Sequence, residues 1–390
     1  TDNENIHQII EKAFSKTDLN HDEITTLFQS RGDDLHFVLN KADELRRAVN
    51  GDKVSYVVTR NINYTNICKY TCHFCAFSKG KTKENLRGKP YLLSFDEIAN
   101  RALEAWNRGA TEVCLQGGIH PHFDGKTYIN ICNAIMKKVP GIHIHAFSPL
   151  EIQHGASTMD MSVENFLLLL KDSGLKTMPG TAAEILDDRV RQHICPDKLK
   201  TEEWLDVIRT AHRVGINTTS TIMFGHQELV KDWSTHLVKL RELQKETQGI
   251  TEFIPLPFVS MEAPMYKRGD ARPGPTFREV LLMHAVSRLA LHPYIQNIQV
   301  SWVKLGPKGA ESCLNAGVND MGGTLMNESI SKAAGSIHGQ EFAPEKMEEF
   351  IKKAQRFPVL RDTLYNELLN SDYETIDGME LFLNSAHPAY

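Results

Sequence analysis

The chain of 390 residues is 41% hydrophobic and 24% charged, enough apolar content for one large core or two ordinary domains. Its formal net charge of −5 is spread along the sequence with no long basic run, which excludes a strong nucleic-acid footprint. The greasiest run, LLLL at 167–170, is far too short to cross a membrane, and the polar start TDNENIHQIIEKAF lacks the apolar stretch of a secretory signal, so the protein reads as cytoplasmic.

Residues 1–52 show helical spacing and nothing else. DEITTLFQS and DLHFVLNKADELRRAVNGD carry apolar residues three and four apart, and the second stops at Gly51. From 53 to 330, short strand-like runs alternate with helical ones. SYVVTRNI precedes SFDEIANRALEAWNRG; TEVCLQ precedes KTYINICNAIMKKV; IHIHAF precedes SVENFLLLLKDSG; LKTMPG precedes TAAEILDDRVRQHI. NTTSTIMFG then leads to KDWSTHLVKLRELQKE, TEFIPL to TFREVLLMHAVSRLAL, and NIQVSWV to PKGAESCLNAG, before a last run, NDMGGTL. Seven or eight such units predict an α/β fold with a closed, TIM-type β/α barrel rather than an open doubly wound sheet. Ser94-x-x-Glu97, Thr181-x-x-Glu184 and Thr276-x-x-Glu279 have capping-box spacing, and Gly109 and Gly174 fall where helices should stop. Residues 331–390, with the charged stretch 341–370, are expected to form a C-terminal helical cap and tail.

The strands carry a second pattern. In IHIHAF, Ile142, Ile144 and Ala146 oppose His143, His145 and Phe147; in TEVCLQ, Val113 and Leu115 oppose Glu112, Cys114 and Gln116; in NIQVSW, Ile298, Val300 and Trp302 oppose Gln299 and Ser301. Side chains alternate across a strand, and a barrel strand's outward face must be apolar to meet its helix. Buried parallel strands normally read as continuous apolar runs, so these point to a polar lumen that holds a polar ligand. The competing reading is a set of satisfied internal hydrogen bonds.

Seven cysteines is an odd number, and clustered thiols in a reducing compartment bind metal or do chemistry more often than they pair. Cys114, Cys132, Cys195 and Cys313 are scattered and read as small buried apolar residues. Cys68, Cys72 and Cys75 are gathered in CKYTCHFCAF at 68–77, on the loop after the first barrel strand. Structural zinc wants four closed ligands and no second C-x2-C exists; c-type haem wants His where Ala76 stands. A [4Fe–4S] cube takes one thiolate per iron, so three thiolates leave one iron open to a substrate or cofactor. That loop lies at the C-terminal rim, where β/α barrels do their chemistry.

This C-x3-C-x2-C after a first barrel strand, with Phe74 before the third cysteine, resembles the radical S-adenosylmethionine (radical SAM) enzymes. The resemblance implies that the open iron chelates the amino and carboxylate groups of S-adenosylmethionine, which one electron then splits to methionine and a 5′-deoxyadenosyl radical. It also implies cofactor-binding segments. In QGGIHP, Gly117 and Gly118 correspond to the family's glycine pair near the methionine amine and Gln116 precedes them as a further cofactor-binding candidate, although Ile119 stands where an acid is common. Ser148 is a candidate for the methionine carboxylate or ribose, and Glu184 for the ribose hydroxyls. TIMFGHQE at 221–228, with Gly225, resembles the segment against adenine, near which Phe74 and Phe77 would also pack.

From about 55 to 365 the chain resembles the group that contains both halves of FO synthase and two enzymes of the futalosine route to menaquinone. GVNDMGGTLMNESISKAAG, ATEVCLQGGIHP and IQVSWVKLG look most like the 4-hydroxybenzyl-transferring, CofH-type half. That likeness implies cleavage of L-tyrosine at Cα–Cβ and addition of its 4-hydroxybenzyl group to C5 of 5-amino-6-(D-ribitylamino)uracil, on the way to the deazaflavin FO. It further implies an external electron donor and, because one cysteine triplet is present, a separate CofG-type half that closes the ring. Strand alternation makes His143 and His145 candidates for moving the tyrosine proton. An aminofutalosine synthase or cyclic dehypoxanthine futalosine synthase is the nearest alternative, and a non-catalytic iron–sulfur carrier or sensor is an alternative of another class.

Overall fold

The computed structural model describes residues 2–70, 72–75, 89–261, 263–324, 326 and 341–368. Three helices come first: α1 (Asp2–Phe14), α2 (His21–Phe28) and α3 (Gly32–Asn50). Helix α2 starts at a full capping box, Asn20 with Glu23, and α3 stops at Gly51, whose φ of 67° favours glycine. The buried positions of α3, Val38, Ala42, Leu45 and Arg46, fall on one helical face. That face packs on α12 (Phe277–Leu291), while α2 packs on α10 (Val230–Thr247).

A closed ring of parallel strands follows. The strands are β1 (Lys53–Val57), β2 (Thr59–Asn63), β3 (Glu112–Gln116), β4 (His143–Ala146) and β5 (Leu175–Met178), then β6 (Asn217–Phe224), β7 (Ile250–Pro257), β8 (Asp320–Gly323) and β9 (Phe357–Leu360). β2 to β7 pair side by side in chain order. Single bridges from Phe253 to Ile298 and from Gln299 to Asp320 carry the pairing across to β8, which pairs with β1. β1 runs straight on into β2, so the ring closes. The segment NIQVSWV, expected as a full strand, contributes only these bridges.

The helices between strands are α4 (Phe95–Asn107), α5 (Gly125–Lys138), α6 (Pro149–Thr158), α7 (Val163–Asp172), α8 (Asp188–Ile194) and α9 (Thr201–Arg213), then α10, α11 (Pro264–Lys267), α12, α13 (Trp302–Leu314, broken at Gly306) and α14 (Pro344–Lys353). Ser94 and Thr276 cap α4 and α12 as their spacing predicts. The Thr181–Glu184 spacing does not make a cap. Ala182 and Glu184 have φ of 60° and 48°, and the helix begins later, with Asp187 accepting from the Val190 N–H at 3.1 Å. Helices α6 and α9 are additional to the sequence reading; α6 has a capping box, Ser148 with Glu151, and a proline at its first position.

The C-terminal segment departs from an all-helical cap. After α14 the chain forms β9, which pairs with β1 on the side that β3 takes higher up, where it pairs with β2. The Arg361 N–H then donates to the Tyr56 carbonyl at 2.9 Å, and the following turn passes beneath the barrel. A hydrophobic stretch decides the strand: Phe357-Pro-Val-Leu is short and apolar with an aromatic and a β-branched residue, and Pro358 is tolerated because β9 has a single neighbour. No described helix is long and apolar enough to cross a membrane.

Candidate active site

The alternation seen in the strands becomes a hollow lumen. Val113, Leu115, Ile144 and Ala146 are fully buried against the helices, while Glu112, Cys114, Gln116 and His145 line a cavity of about 400 Å³. Gln299 and Ser301 line it from the opposite wall, and Trp302 turns outward, its indole N–H donating to the Gly323 carbonyl at 2.9 Å. The cavity runs along the barrel axis: Cys68, Cys72 and Cys75 border one end, and Glu252, Arg361 and Thr363 border the other.

At the rim, the cysteine loop is pinned on both sides. The Lys69 N–H donates to the Ile119 carbonyl at 3.0 Å, and the Ile119 N–H donates to Cys68 Sγ at 3.3 Å. The His73 N–H donates to the Ile194 carbonyl at the end of α8, and the Met265 N–H to the His73 carbonyl. Gly117 and Gly118 are required by this packing. A Cβ on Gly117 would lie 2.6 Å from the Tyr64 ring, and one on Gly118 would lie 2.3 Å from the Ile67 carbonyl oxygen. Both glycines also face the cavity.

The other predicted positions fall as follows. Phe74, Gln116, Ser148 and Glu184 line the cavity. Gln116 is held by the Thr181 hydroxyl, which donates to its Oε1 at 2.9 Å. Ser148 has a second duty as the cap of α6, accepting from the Glu151 N–H. Glu184, in its left-handed conformation, lies 3.9 Å from Lys198. Phe77 lies outside the described residues. Gly225 does not line the cavity: at φ 96° it turns the chain after β6, its N–H donates to Glu228, and a Cβ there would lie 2.3 Å from Pro275. His145 lines the lumen, but His143 does not. The two rings share one partner, the Thr177 hydroxyl, at 2.7 Å from His143 Nε2 and 2.7 Å from His145 Nδ1. That hydroxyl has one hydrogen, so it donates to one ring and accepts from the other. Burial, with Arg361 adding to it, pulls His145 down to about 3; burial pulls His143 down to about 4 although Glu112 opposes it. Both rings are therefore neutral near pH 7.

Three groups were not singled out in the sequence. Lys198 is mostly enclosed between Cys72, Cys75, Cys195 and Glu184, and its ammonium sits 4.9 Å above the Phe74 ring. Burial alone would depress this ammonium, but the surrounding thiols and Glu184 more than offset that and hold it up. Burial likewise pushes the Cys72 thiol well up, with Lys198 the main opposing influence. Glu151 is buried behind Gly117, accepting from the Tyr64 hydroxyl, the Gly117 N–H at 3.1 Å and the Ser148 N–H at 2.6 Å. Burial raises its carboxyl to about 7 despite these bonds. Third, the floor is closed by an ion network in which Arg361 donates to Asp320 at 2.5 and 2.9 Å and approaches Glu252 at 3.4 Å. Lys198 and Arg361 reach the lumen from segments with no motif, and Glu151 enters it from a helix that the sequence reading did not place.

The chemistry of this donor set suits an iron–sulfur cofactor, since three thiols of one loop border the cavity, Cys68 already receives a backbone N–H, and the Lys198 ammonium lies near Cys72 and Cys75 to balance added negative charge. As they stand, no three such side chains among the described residues are gathered closely enough to hold a metal ion.

Comparison with known proteins agrees. Residues 62–239 match the model of the radical SAM superfamily, and residues 247–372 match that of the CofH/MqnC C-terminal region. The chain is 46% identical over 359 residues to a 5-amino-6-(D-ribitylamino)uracil–L-tyrosine 4-hydroxyphenyl transferase of Methanocaldococcus jannaschii, covering 91% of this chain and 98% of the relative. The chain belongs to the radical SAM superfamily, in its CofH branch. An Archaeoglobus fulgidus protein of the same name is 51% identical over 327 residues, 84% of this chain and 92% of that one. An FO synthase of Streptomyces coelicolor is 47% identical over 353 residues, covering 90% of this chain; the chain spans about two-fifths of that protein's length, 40%. Among solved structures, methylornithine synthase PylB (TM-score 0.71, 16% identity, 90% of this chain and 97% of that one) shares the radical SAM fold. So does the hydrogenase maturase HydG from Carboxydothermus hydrogenoformans (TM-score 0.73, 16% identity, 99% and 87%). Membership of this superfamily implies a [4Fe–4S] cluster and S-adenosylmethionine for the rim of the lumen.

Proposed function

We propose that this chain cleaves L-tyrosine and transfers its 4-hydroxybenzyl group to 5-amino-6-(D-ribitylamino)uracil, on the way to FO. A separate CofG-type protein would close the deazaflavin ring, and an external donor would supply the electron. The near end-to-end identity to the M. jannaschii transferase carries this reading. Seven cysteines, three of them clustered and none in a disulfide among the described residues, favour a reducing, cytoplasmic setting.

Cys68, Cys72 and Cys75 would hold the cluster by three irons and leave the fourth to S-adenosylmethionine; together the pair supplies a carbon radical that takes a hydrogen atom from tyrosine. Lys198 offers a cation to the cofactor's carboxylate, Glu184 a carboxylate to its ribose, and Phe74 an aromatic face to its adenine. Leu150, Ile254, Leu256 and Phe258 give the lumen apolar wall that excludes water from a reactive carbon. In the tautomer whose Nδ1–H donates to the Thr177 oxygen, neutral His145 leaves Nε2 to accept a hydrogen bond from the phenol, and Thr177 in turn donates to His143 Nε2.

The test is anaerobic reconstitution followed by reaction with S-adenosylmethionine, dithionite, tyrosine and the ribityl-diaminouracil. Wild type is expected to yield the joined product by mass, and Cys68→Ala, Cys72→Ala and Cys75→Ala to lose the cluster's visible absorbance and product formation by more than about a hundredfold. Formation of 5′-deoxyadenosine without joined product would favour a futalosine-type substrate, and no cofactor cleavage at all would favour a carrier.

A further inference from the structure

The floor of the lumen is built and buried, away from the cysteine end. It lies at the start of the strands, four residues down β3 from the rim, or roughly 13 Å at strand rise. Thr59 and Thr363 both donate to Glu112, one to each carboxylate oxygen. Thr363 comes from the turn after β9, so this wall does not belong to any barrel strand. Higher up, Asn61 stands opposite Cys114 in register, lines the cavity, and has a buried Oδ1 with no partner.

We propose that this floor is a polyol subsite that receives the ribityl chain of the second substrate, with Glu112 and Thr363 as its specificity-determining residues; this rests on the function proposed above. Tyrosine must meet the radical, so it occupies the rim side. The uracil must meet the benzyl group, so it lies deeper, and its substituent is what reaches the floor. A carboxylate has about four lone-pair sites, and the two threonines occupy two on Glu112. The spare sites there and on Asn61 are acceptors, and a chain of hydroxyls supplies donors. An amino-acid carboxylate is disfavoured, because Glu112 and Glu252 both line the floor and Arg361 is already paired with Asp320. A benzyl ring would strand the same groups without water.

Calorimetric titration of the cluster-loaded full chain tests this, comparing 5-amino-6-(D-ribitylamino)uracil with 5-amino-6-methylaminouracil, which lacks the polyol. Wild type should bind the ribityl compound at least tenfold more tightly. Thr363→Val and Glu112→Gln should each narrow that preference about fivefold to tenfold, leave the KM for tyrosine within twofold, and keep a cooperative thermal transition; Thr363→Ser should restore the preference. Equal weakening of both uracils, or an unchanged preference in folded variants, overturns the subsite. If wild type binds and discriminates but never joins tyrosine to the uracil, the subsite stands and the proposed reaction falls. If neither uracil binds wild type, the subsite falls whatever the reaction.

Discussion

Glu151 shows how one buried carboxyl couples the site to pH. Its folded value, raised to about 7, exceeds the ordinary 4.5, so the native state holds a proton that the unfolded chain releases. Stability from this group is complete below about pH 4.5 and falls as pH rises towards 7, by on the order of 3 kcal/mol. Glu151→Gln is expected to flatten that window in denaturant titrations taken across it. Near pH 5, where the native carboxyl is itself protonated, the amide is a close mimic and the variant should cost no more than about 1–2 kcal/mol. Residue identity alone could not announce this role: the spacing to Ser148 marks a helix start, while Tyr64 and Gly117 arrive from other strands. The three cysteines were legible because their chemistry lies within one short stretch. Lys198 was not, because its partners are spread from 72 to 195.

The elements that sequence read best were those with a period. Strand alternation placed Glu112, Cys114, Gln116 and His145 in the lumen, since a parallel barrel strand has only two faces. It failed at Thr181–Glu184, where capping spacing was present but two left-handed residues bend the chain towards the cavity instead. Backbone contact between β3 and the cysteine loop yields a sharp expectation. Gly118→Ala puts a Cβ into a carbonyl that cannot swing away, so it should destabilise by about 1–3 kcal/mol and lower iron content per reconstituted chain. Gly51→Ala, with open space around it but φ of 67°, should cost about 1 kcal/mol and leave iron content unchanged.

Across the whole molecule the barrel is completed from both ends of the described chain. Arg361 is almost wholly buried, and its loss leaves Asp320 and Glu252 facing each other without a cation. Arg361→Ala is expected to cost about 3–5 kcal/mol by chemical unfolding, and Arg361→Lys to recover only part, because lysine cannot reproduce the paired bonds to Asp320. This was the least legible part of the fold. A four-residue strand followed by a turn reads as tail until its pairing with β1 is seen.

That pairing also sets an order of events. The cysteine loop is synthesised soon after Lys53, whereas Phe357, its neighbour across β1, emerges roughly three hundred residues later. Among the described strands the last thus lies beside the first, and a chain cut before Phe357 would lack Arg361 and Thr363, which border the lower end of the chamber.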